Sequence, residues 1–344
     1  MDEFADVVVI GGGIVGLCIA HSLLDKGARR VQLVEKNQIG SGGTDFALGL
    51  IRRRHADPVW ARLATESWGF FSQWREETRD GLVTETSVAI ISHASAGAAA
   101  SEETPYRLSP QEAIDTSAAL RARPRSLAMA LAQRLRGKGL RIREGVEALD
   151  LRTENGPVRS VLTTDGTINC GACVIAPGPM REPPGRLLPS LLRPMRVPIV
   201  GFTGCRHPGA PPMLDVVRGV YIAPDGDRWV VSVPPRADAP VDADPHPPSS
   251  GEIRMLARAL RHRVRDACPT LAGARCGIYD RTPDERPLVG AVPGVTGLFA
   301  AAGLSGSGFQ VAPAVGARIA DLVFSEPTDL WADKLRPDRF SEAS

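Results

Sequence analysis

Three glycines near the N-terminus are spaced so that they could hold a nucleotide cofactor. Gly11, Gly13 and Gly16 form a GxGxxG pattern directly after the apolar run DVVVI. The first glycine permits a tight turn, the second lets a pyrophosphate approach the backbone, and the third lets helix and strand pack closely. Glu35, 19 residues beyond Gly16, can accept hydrogen bonds from a ribose 2′-hydroxyl, and an acid there argues against NADP. The segment predicts a dinucleotide site; the alternative is a Rossmann unit that binds nothing.

Two further glycine-rich segments bear on which dinucleotide would bind. GSGGT at 40–44 follows the acid closely, and GLSGSG at 303–308 precedes an apolar run from about Val311 to Val323 that predicts a helix. A loop of small residues beside the pyrophosphate suits a ligand that extends past its adenosine half. One flavin lying across all three segments would explain them together, so the sequence favours FAD over NAD.

The hydrophobic pattern predicts the elements that must position these glycines. Asp6–Ile10 and Val31–Glu35 predict two short strands of a parallel sheet, and LCIAHSLLDKG between them predicts a helix closed by Gly27. Strand, glycines, helix and terminal acid thus follow in the order that the nucleotide fingerprint requires. A further helix is predicted to begin at Asp57-Pro58, with an aromatic stripe for core packing.

Composition and charge argue against several classes of function. The chain of 344 residues is 43% hydrophobic and has a net charge of +2, which is unlike a nucleic-acid-binding protein. Its apolar runs are shorter than a membrane span and its acidic N-terminus is unlike a signal peptide, so a cytoplasmic location is expected. The histidines are dispersed, and Cys170 and Cys173 lie in a run that predicts a buried strand, so no metal site is expected.

Four segments match the pattern of one known family: DVVVIGGGIVG, EKNQIGSGGT, LIRRRHADPVWARLATES and YDRTPDERPLVGAVPGVTGLFAAAGLSGSGFQVAPAVGARIADLV. In these residues the chain resembles the FAD-dependent D-amino-acid oxidase superfamily, in particular its sarcosine oxidase and glycine oxidase branch. The resemblance implies an α/β fold in which a Rossmann-like FAD-binding domain is interleaved with a smaller substrate domain on a mixed or antiparallel sheet. The implied FAD-binding pieces are 1–79, 125–182 and 276–335, and the substrate pieces are 80–124 and 183–275.

The resemblance implies a non-covalent FAD held by residues of all these segments. Gly277 stands where some sarcosine oxidases attach the flavin through a cysteine, so no covalent link is expected. The loop at 303–308 is expected to form a wall beside the flavin ring, with the N-terminus of the following helix aimed at it. The implied contacts are Gly11, Gly13, Ile14, Gly16, Glu35, Lys36, Ser41, Gly42, Gly43, Thr44, Val146, Ala176, Gly178, Gly303, Leu304, Ser305, Gly306, Gly308, Phe309 and Gln310.

Four residues are implied for the substrate site. Arg52 takes the position of a family arginine that holds the substrate carboxylate, a role that suits its planar fork of donors. Tyr221 and Tyr279 match pocket tyrosines of the family. Gln310 stands where sarcosine oxidases carry a lysine that pairs with the carboxylate, so one charge is missing and sarcosine itself is not expected. The alternatives are a solvated basic face for Arg52 and ordinary strand positions for the tyrosines.

The implied reaction oxidises a C–N bond of an amine or amino acid by hydride transfer to flavin N5, giving an imine. The electron acceptor, O2 or a redox partner, is left open, because the lysine that assists oxygen in those oxidases is absent near Val230. A dehydrogenase is therefore an alternative to an oxidase. A different class of function is a flavin-binding subunit or assembly factor of a heteromeric complex without independent catalysis. The oligomeric state is also left open.

Overall fold

The chain folds into two compact units, each built from pieces that are discontinuous in sequence. In this computed structural model the described residues are 3–94, 104–179, 192–204, 209–233, 246–327 and 330–340. The first unit comprises Met1–Val83, Ala122–Pro194 and Tyr279–Ser344, and the second comprises Thr84–Arg121 and Met195–Ile278.

The elements alternate between strands and helices at both ends of the chain, and strands dominate the middle. The helices are α1 (Ile14–Asp25), α2 (Pro58–Thr78), α3 (Pro124–Gly137), α4 (Ser250–Arg263) and α5 (Gly308–Val323), with a 3-10 helix at Leu330–Leu335. The strands are β1 (Glu3–Ile10), β2 (Val31–Glu35), β3 (Leu50–Arg52), β4 (Val83–His93), β5 (Glu112–Ala122), β6 (Arg141–Glu144), β7 (Ala148–Thr153), β8 (Val158–Thr163), β9 (Gly166–Ile175), β10 (Arg193–Thr203), β11 (Met213–Asp215), β12 (Val220–Asp225), β13 (Arg228–Ser232), β14 (Thr270–Arg281), β15 (Leu288–Ala291) and β16 (Leu298–Ala302).

The sheet of the first unit has the strand order β15-β16-β9-β1-β2-β6. β1 pairs in parallel with β2 and β9, and β9 also pairs in parallel with β16. Val8 and Val9 at the centre of β1 are fully buried. A parallel strand buried on both faces carries an unbroken apolar run, which is why this strand could be predicted from the sequence. β7 and β8 extend the sheet in antiparallel fashion from β9.

Helix α1 follows β1 directly and packs closely against α5. A Cβ atom at Gly316 of α5 would lie 2.5 Å from the carbonyl oxygen of Cys18 in α1, so a glycine is required at this crossing. The end of α1 is a Schellman motif, in which Gly27 N–H donates to Leu24 and Ala28 N–H donates to Leu23. The predicted role of Gly27 in closing this helix is confirmed.

Helix α2 begins where the sequence predicted, at Asp57-Pro58. The Asp57 carboxylate accepts the Val59 N–H at 2.7 Å through one oxygen and the Arg286 Nε–H at 3.0 Å through the other. The same side chain therefore caps α2 and ties its start to the segment after β14. Phe71 of α2 is fully buried and stacks on Phe309 at a ring separation of 5.7 Å, which confirms that this stripe belongs to the core.

The second unit is built on a mixed sheet with the order β14-β10-β13-β12-β11-β4-β5. β10, β13, β12 and β11 pair in antiparallel fashion, while β11 and β4 run parallel. Its core contains a buried ion cluster in which Arg263 donates to Asp215 at 2.5 Å and to Glu112 at 2.6 Å. Pairing with Arg263 lowers the pKa of the Glu112 carboxyl far below its usual value.

Two element boundaries differ from the sequence prediction. β1 begins at Glu3 rather than Asp6, because Glu3 to Ala5 pair with β9. α5 begins at Gly308 rather than about Val311, because Phe309 packs on Phe71 and Gln310 is hydrogen-bonded from outside the helix. In both places a tertiary contact extends an element beyond its local pattern.

Several other features of the described residues bear on function. Cys170 and Cys173 are buried in β9 with free thiols, as the strand reading of this run predicted. Among the described helices, none has the length and apolar character needed to cross a membrane. Within the same ranges, no three His, Cys, Asp or Glu side chains are grouped so that they could hold a metal ion.

Candidate active site

Two positions between β1 and the first turn of α1 can hold only glycine. Gly11 has a φ of +111°, and a Cβ atom there would lie 2.1 Å from the carbonyl oxygen of Ala176. A Cβ atom at Gly16 would lie 2.0 Å from the carbonyl oxygen of Gly11. The turn, the start of α1 and the end of β9 are therefore in backbone contact, which no larger side chain would allow.

The first turn of α1 presents backbone donors with little covering them. Gly13 is the N-cap and has no side-chain cap, and the first turn carries no acid. The Ile14 N–H donates to the Thr44 hydroxyl at 3.0 Å. A Cβ atom at Gly13 would meet only this hydroxyl oxygen, at 3.2 Å, and one at Gly42 would meet nothing within 4 Å. A helix start of this kind favours an anionic group such as a phosphate.

The acid at the end of β2 lies against the same turn. Glu35 accepts the Gly12 N–H at 2.7 Å and the Asn37 N–H at 2.8 Å. Lys36 is exposed. These contacts place a carboxylate beside the glycine turn, where a ribose hydroxyl would need an acceptor.

The other residues implied for this half of the cofactor take up different environments. Ser41 donates its hydroxyl to the Gln38 carbonyl at 2.7 Å, and Gly43 is exposed. Val146 is a buried core residue whose N–H donates to the Glu35 carbonyl at 3.0 Å. Gly178, at a φ of +66°, follows the end of β9, and a Cβ atom there would meet nothing within 4 Å.

The C-terminal glycine loop is fixed by a residue that the sequence reasoning missed. Asp280 of β14 accepts the Gly303 N–H through its carboxylate at 2.7 Å and the Ser305 N–H through its backbone carbonyl at 3.0 Å. Its side chain is buried, and burial raises the pKa of this carboxyl. Gly303, Ser305 and Gly306 all have positive φ angles. The loop is thus a tightly held segment and not a flexible linker; an acid within a strand was the available signal.

Tyr279 lies beside this loop. A Cβ atom at Gly306 would lie 3.3 Å from the Tyr279 ring, so glycine lets the ring approach the backbone. Burial raises the pKa of Tyr279 to about 12, which keeps the phenol neutral at physiological pH. Arg281 lies two residues further along β14 and was also missed; one of its guanidinium nitrogens is buried with no hydrogen-bond partner among the described residues.

Leu304 and Phe309 make packing contacts, whereas Gln310 makes polar ones. The Leu304 side chain lies against Gly308. A Cβ atom placed at Gly308 would come within 3.1 Å of the Leu304 side chain. The Phe309 ring is used in the core against Phe71, so only its backbone is available to a ligand. Gln310 is buried, with 8% of its surface exposed, although it is polar.

Gln310 and Arg52 come together in the structure, and His55 joins them. The Gln310 side-chain oxygen lies 3.4 Å from the Arg52 backbone nitrogen and 3.3 Å from His55 Nε2. Burial and the neighbouring Arg52 charge lower the pKa of His55 to about 4, so the ring is neutral at pH 7. His55 was not among the expected site residues, because a lone histidine in a loop gives no local signal.

Arg52 is a half-buried cation without an acid to balance it among the described residues. Burial lowers its pKa to about 10, and it still carries its charge at neutral pH. Its guanidinium donates to the Arg54 carbonyl, and no carboxylate of the described residues pairs with it. A charge removed from water in this way is costly unless an anion meets it.

Tyr221 belongs to the second unit, unlike Arg52, Tyr279 and Gln310. It lies in β12, and its hydroxyl is buried without a hydrogen-bond partner among the described residues. Burial raises its pKa to about 12. An orphaned buried hydroxyl is rare in folded proteins, and a bound group that satisfied it would remove the cost.

Comparison with known proteins explains why these features occur together. The profile of the FAD dependent oxidoreductase family matches residues 6–322 of the chain. The chain belongs to this family. FAD is the cofactor of its enzymes, and the family's two-domain fold, a Rossmann-like unit with a separate substrate domain, is the one observed here.

Some similar proteins match this chain over nearly their whole length, and others are longer than the matched part. The chain is 25% identical to the monomeric sarcosine oxidase of Streptomyces avermitilis, over 95% of this chain and 96% of that one. It is 26% identical to the bifunctional protein ThiO/ThiG of a Synechocystis species, over 99% of this chain but only 55% of that protein. The crystal structure of glycine oxidase from Geobacillus kaustophilus superposes with a TM-score of 0.79 at 24% identity, covering 98% of this chain and 99% of the other.

The residues of the first unit fit the FAD that this family binds. The uncovered start of α1 would take the pyrophosphate, with Thr44 as a further donor. Glu35, beside the turn, would take the ribose. The space beside Gly42 is open, and a Cβ atom at Gly13 would meet only the Thr44 hydroxyl, so a ligand can reach the backbone here. These four residues were all predicted from the sequence to contact the cofactor.

Proposed function

We propose that the chain oxidises a C–N bond of a carboxylate-bearing amine or amino acid to an imine. The observation that carries the proposal is the Arg52 guanidinium, which is half-buried, partly desolvated and has no acidic partner among the described residues. A substrate carboxylate would balance this charge and accept hydrogen bonds from its planar fork. In an amino acid the amine stands at a fixed distance from the carboxylate, so binding the carboxylate would also position the amine.

The names of similar proteins support the same class of substrate. One relative is a monomeric sarcosine oxidase, and a protein of the same fold is a glycine oxidase. Both names describe oxidation of amino acids. The substitution of Gln310 for the lysine of sarcosine oxidases argues for a substrate other than sarcosine.

The reaction requires a hydride to leave the carbon next to nitrogen while the nitrogen lone pair forms the C=N bond. FAD, when bound, supplies the hydride acceptor at flavin N5. The amine proton is released to solvent, and water then adds to the imine to give a carbonyl compound and a free amine. Electron transfer onward to O2 or to a redox partner completes the cycle.

The side chains of the first unit bind and orient, and none of them needs to take the proton. Arg52 would fix the carboxylate. The neutral Tyr279 phenol and the loop held by Asp280 would form the rigid wall of the site. Keeping His55 neutral avoids a second positive charge, which would make the substrate amine harder to bind. We infer that the FAD is non-covalent, because glycine stands at 277.

The test is an anaerobic substrate screen on the purified flavoprotein. Amino acids, N-alkyl amino acids and carboxylate-free amines are mixed with it, and loss of the oxidised flavin absorbance is followed. We expect bleaching with at least one carboxylate-bearing amine. Absence of bleaching with every amine, despite bound FAD, would contradict the proposal and favour a flavin-binding subunit without catalysis.

An arginine substitution tests the observation itself. Arg52→Met should raise the KM for the carboxylate-bearing substrate about 10- to 100-fold, the loss of a charge-assisted hydrogen-bonded pair. Arg53, an exposed neighbour that stacks on Trp68 at 4.8 Å, provides the matched control Arg53→Met, which should leave KM unchanged. Equal KM values for wild type and Arg52→Met would remove the basis for carboxylate recognition.

A further inference from the structure

The Gln310 amide is held in one orientation by two donors. A backbone N–H can only donate, so the Gln310 atom that faces the Arg52 nitrogen at 3.4 Å must be the oxygen. The same oxygen lies 3.3 Å from His55 Nε2. Both lone pairs of the oxygen are then used, at the long end of the hydrogen-bond range.

This orientation favours one tautomer of His55. The ring nitrogen that faces the Gln310 oxygen must carry a hydrogen in order to donate to it. Burial and the Arg52 charge lower the pKa of His55 to about 4, so the ring holds a single proton at neutral pH. The ring also has a hydrogen bond to the Arg52 backbone, so two acceptors compete for this proton, and we take it to lie on Nε2, which faces Gln310.

The other end of the amide is left without an acceptor. The Gln310 side-chain nitrogen carries two hydrogens and donates to none of the described residues, although Gln310 is only 8% exposed. This nitrogen is not among the fully buried unpartnered atoms, so its hydrogens face space in which a ligand can accept them. The Arg52 charge, which acts on the neighbouring His55, has no anion among the described residues, so a cation and an uncommitted neutral donor both occur around His55.

We propose that His55 is a positioning residue that holds Gln310 with its N–H2 group toward the substrate, so that one cation and one neutral donor recognise the substrate oxygens. This rests on the proposed function, which takes Arg52 as the carboxylate-binding residue. A neutral donor binds a charged or an uncharged carbonyl oxygen. The substrate class is therefore monocarboxylate amino acids, with their amides and esters accepted more readily than by a site with two cations.

The test uses acetate and acetamide as probes, each titrated into the FAD-loaded protein and followed by the flavin difference spectrum. His55→Phe removes the ring donor but keeps a ring of similar size. We expect it to weaken both probes about fivefold, the contribution of one hydrogen bond, without changing their ratio. His55→Gln can donate from a similar position and should restore both affinities. The exposed His93 gives the control His93→Phe, which should change neither.

Variants of the other two residues separate the parts of the proposal. Arg52→Met should bring the acetate and acetamide affinities toward equality, because only acetate needs the charge. Gln310→Lys should favour acetate over acetamide about tenfold more than wild type does. If Arg52→Met leaves the ratio unchanged, carboxylate recognition by the proposed function is wrong. If Arg52→Met changes the ratio but His55→Phe leaves both affinities unchanged, the inference about His55 alone is wrong.

A measurement on the wild-type protein covers the case in which His55→Phe does not fold. The 15N chemical shifts of the His55 ring in the FAD-loaded protein report which nitrogen carries the proton. We expect a proton on Nε2 at pH 7. A proton on Nδ1, or a doubly protonated ring at that pH, would overturn the inference.

Discussion

At the scale of single residues, the glycines of the predicted cofactor site differ in what they allow. A Cβ atom at Gly16 would lie 2.0 Å from a backbone oxygen, whereas one at Gly42 would meet nothing within 4 Å. The GxGxxG pattern alone does not separate a glycine needed for packing from one that leaves room for a ligand. The structure assigns Gly11 and Gly16 to the first kind, whereas a Cβ atom at Gly13 would meet only the Thr44 hydroxyl, at 3.2 Å.

Gly16→Ala should therefore destabilise the protein, and Gly42→Ala should not. The clash at Gly16 involves backbone, which cannot move aside as a side chain can. We therefore expect the free energy of unfolding to fall by more than the cost of ordinary overpacking, about 1–3 kcal/mol. Gly42 is exposed and its φ is not positive, which makes it a matched control. Thermal unfolding of the FAD-depleted protein measures both without the contribution of the cofactor, and equal melting temperatures for the two variants would contradict the assignment.

The lowered pKa of His55 predicts that the free energy of unfolding depends on pH through this one side chain. Burial, followed by the Arg52 charge, lowers its pKa from 6.5 to about 4 in the folded protein. Between these two values the unfolded chain binds a proton that the folded chain does not, so stability falls as the pH falls from 6.5 to 4. Urea unfolding midpoints of His55→Gln should decline less steeply over this range than those of wild type. His93→Gln serves as the control, and parallel curves for His55→Gln and wild type would refute the prediction.

At the scale of elements, the glycine loop before α5 is a rigid connection because β14 holds it. Asp280 accepts N–H groups on both sides of Leu304, and the loop returns into α5 through Gly308. The expectation of a wall beside the cofactor rested on the family resemblance. The structure adds the physical reason that the loop keeps its shape, although contact with the cofactor itself stays a prediction.

Asp280→Ala should loosen this loop. It would leave at least one buried backbone N–H without an acceptor, at a cost of about 1–3 kcal/mol. We expect Asp280→Ala to have a lower melting temperature and a larger FAD dissociation constant than wild type. Asp280→Asn keeps one acceptor oxygen, so both of its values should lie between those of Asp280→Ala and wild type. Asp227→Ala, at an 85% exposed side chain, is the control. Unchanged FAD affinity in Asp280→Ala would show that the loop does not support the cofactor.

At the scale of the whole molecule, the first unit is a nucleotide-binding fold whose turn and strand ends are fixed by contacts within the protein. Its parallel strands end at one edge of the sheet, where the α1 turn and the end of β9 meet. The 40–44 loop joins them there through the Gly40 N–H, which donates to the Gly12 carbonyl at 3.0 Å. A ligand that binds only this folded arrangement stabilises it by mass action.

FAD should accordingly raise the stability of the protein, and above its dissociation constant the gain grows with the logarithm of its free concentration. At a free concentration of 100 times its dissociation constant the gain is about 2.7 kcal/mol. The melting temperature of FAD-depleted protein should rise on adding FAD and should not respond to NADP, whose 2′-phosphate Glu35 would repel. A melting temperature that is indifferent to FAD would argue against a cofactor site in the first unit.

The sequence by itself determined the features that depend on short spacing. The β1-α1-β2 order, the Gly27 helix end, the Asp57 cap and the family all follow from residues close together in the chain, where periodicity and turn chemistry act. Only the tertiary structure decided the contacts of His55 with Gln310 and of Asp280 with Gly303, and the early start of α5. These pairs lie 255 and 23 residues apart, and their energy comes from burial and hydrogen bonding between elements. A local pattern carries no record of which distant residue will face a given side chain.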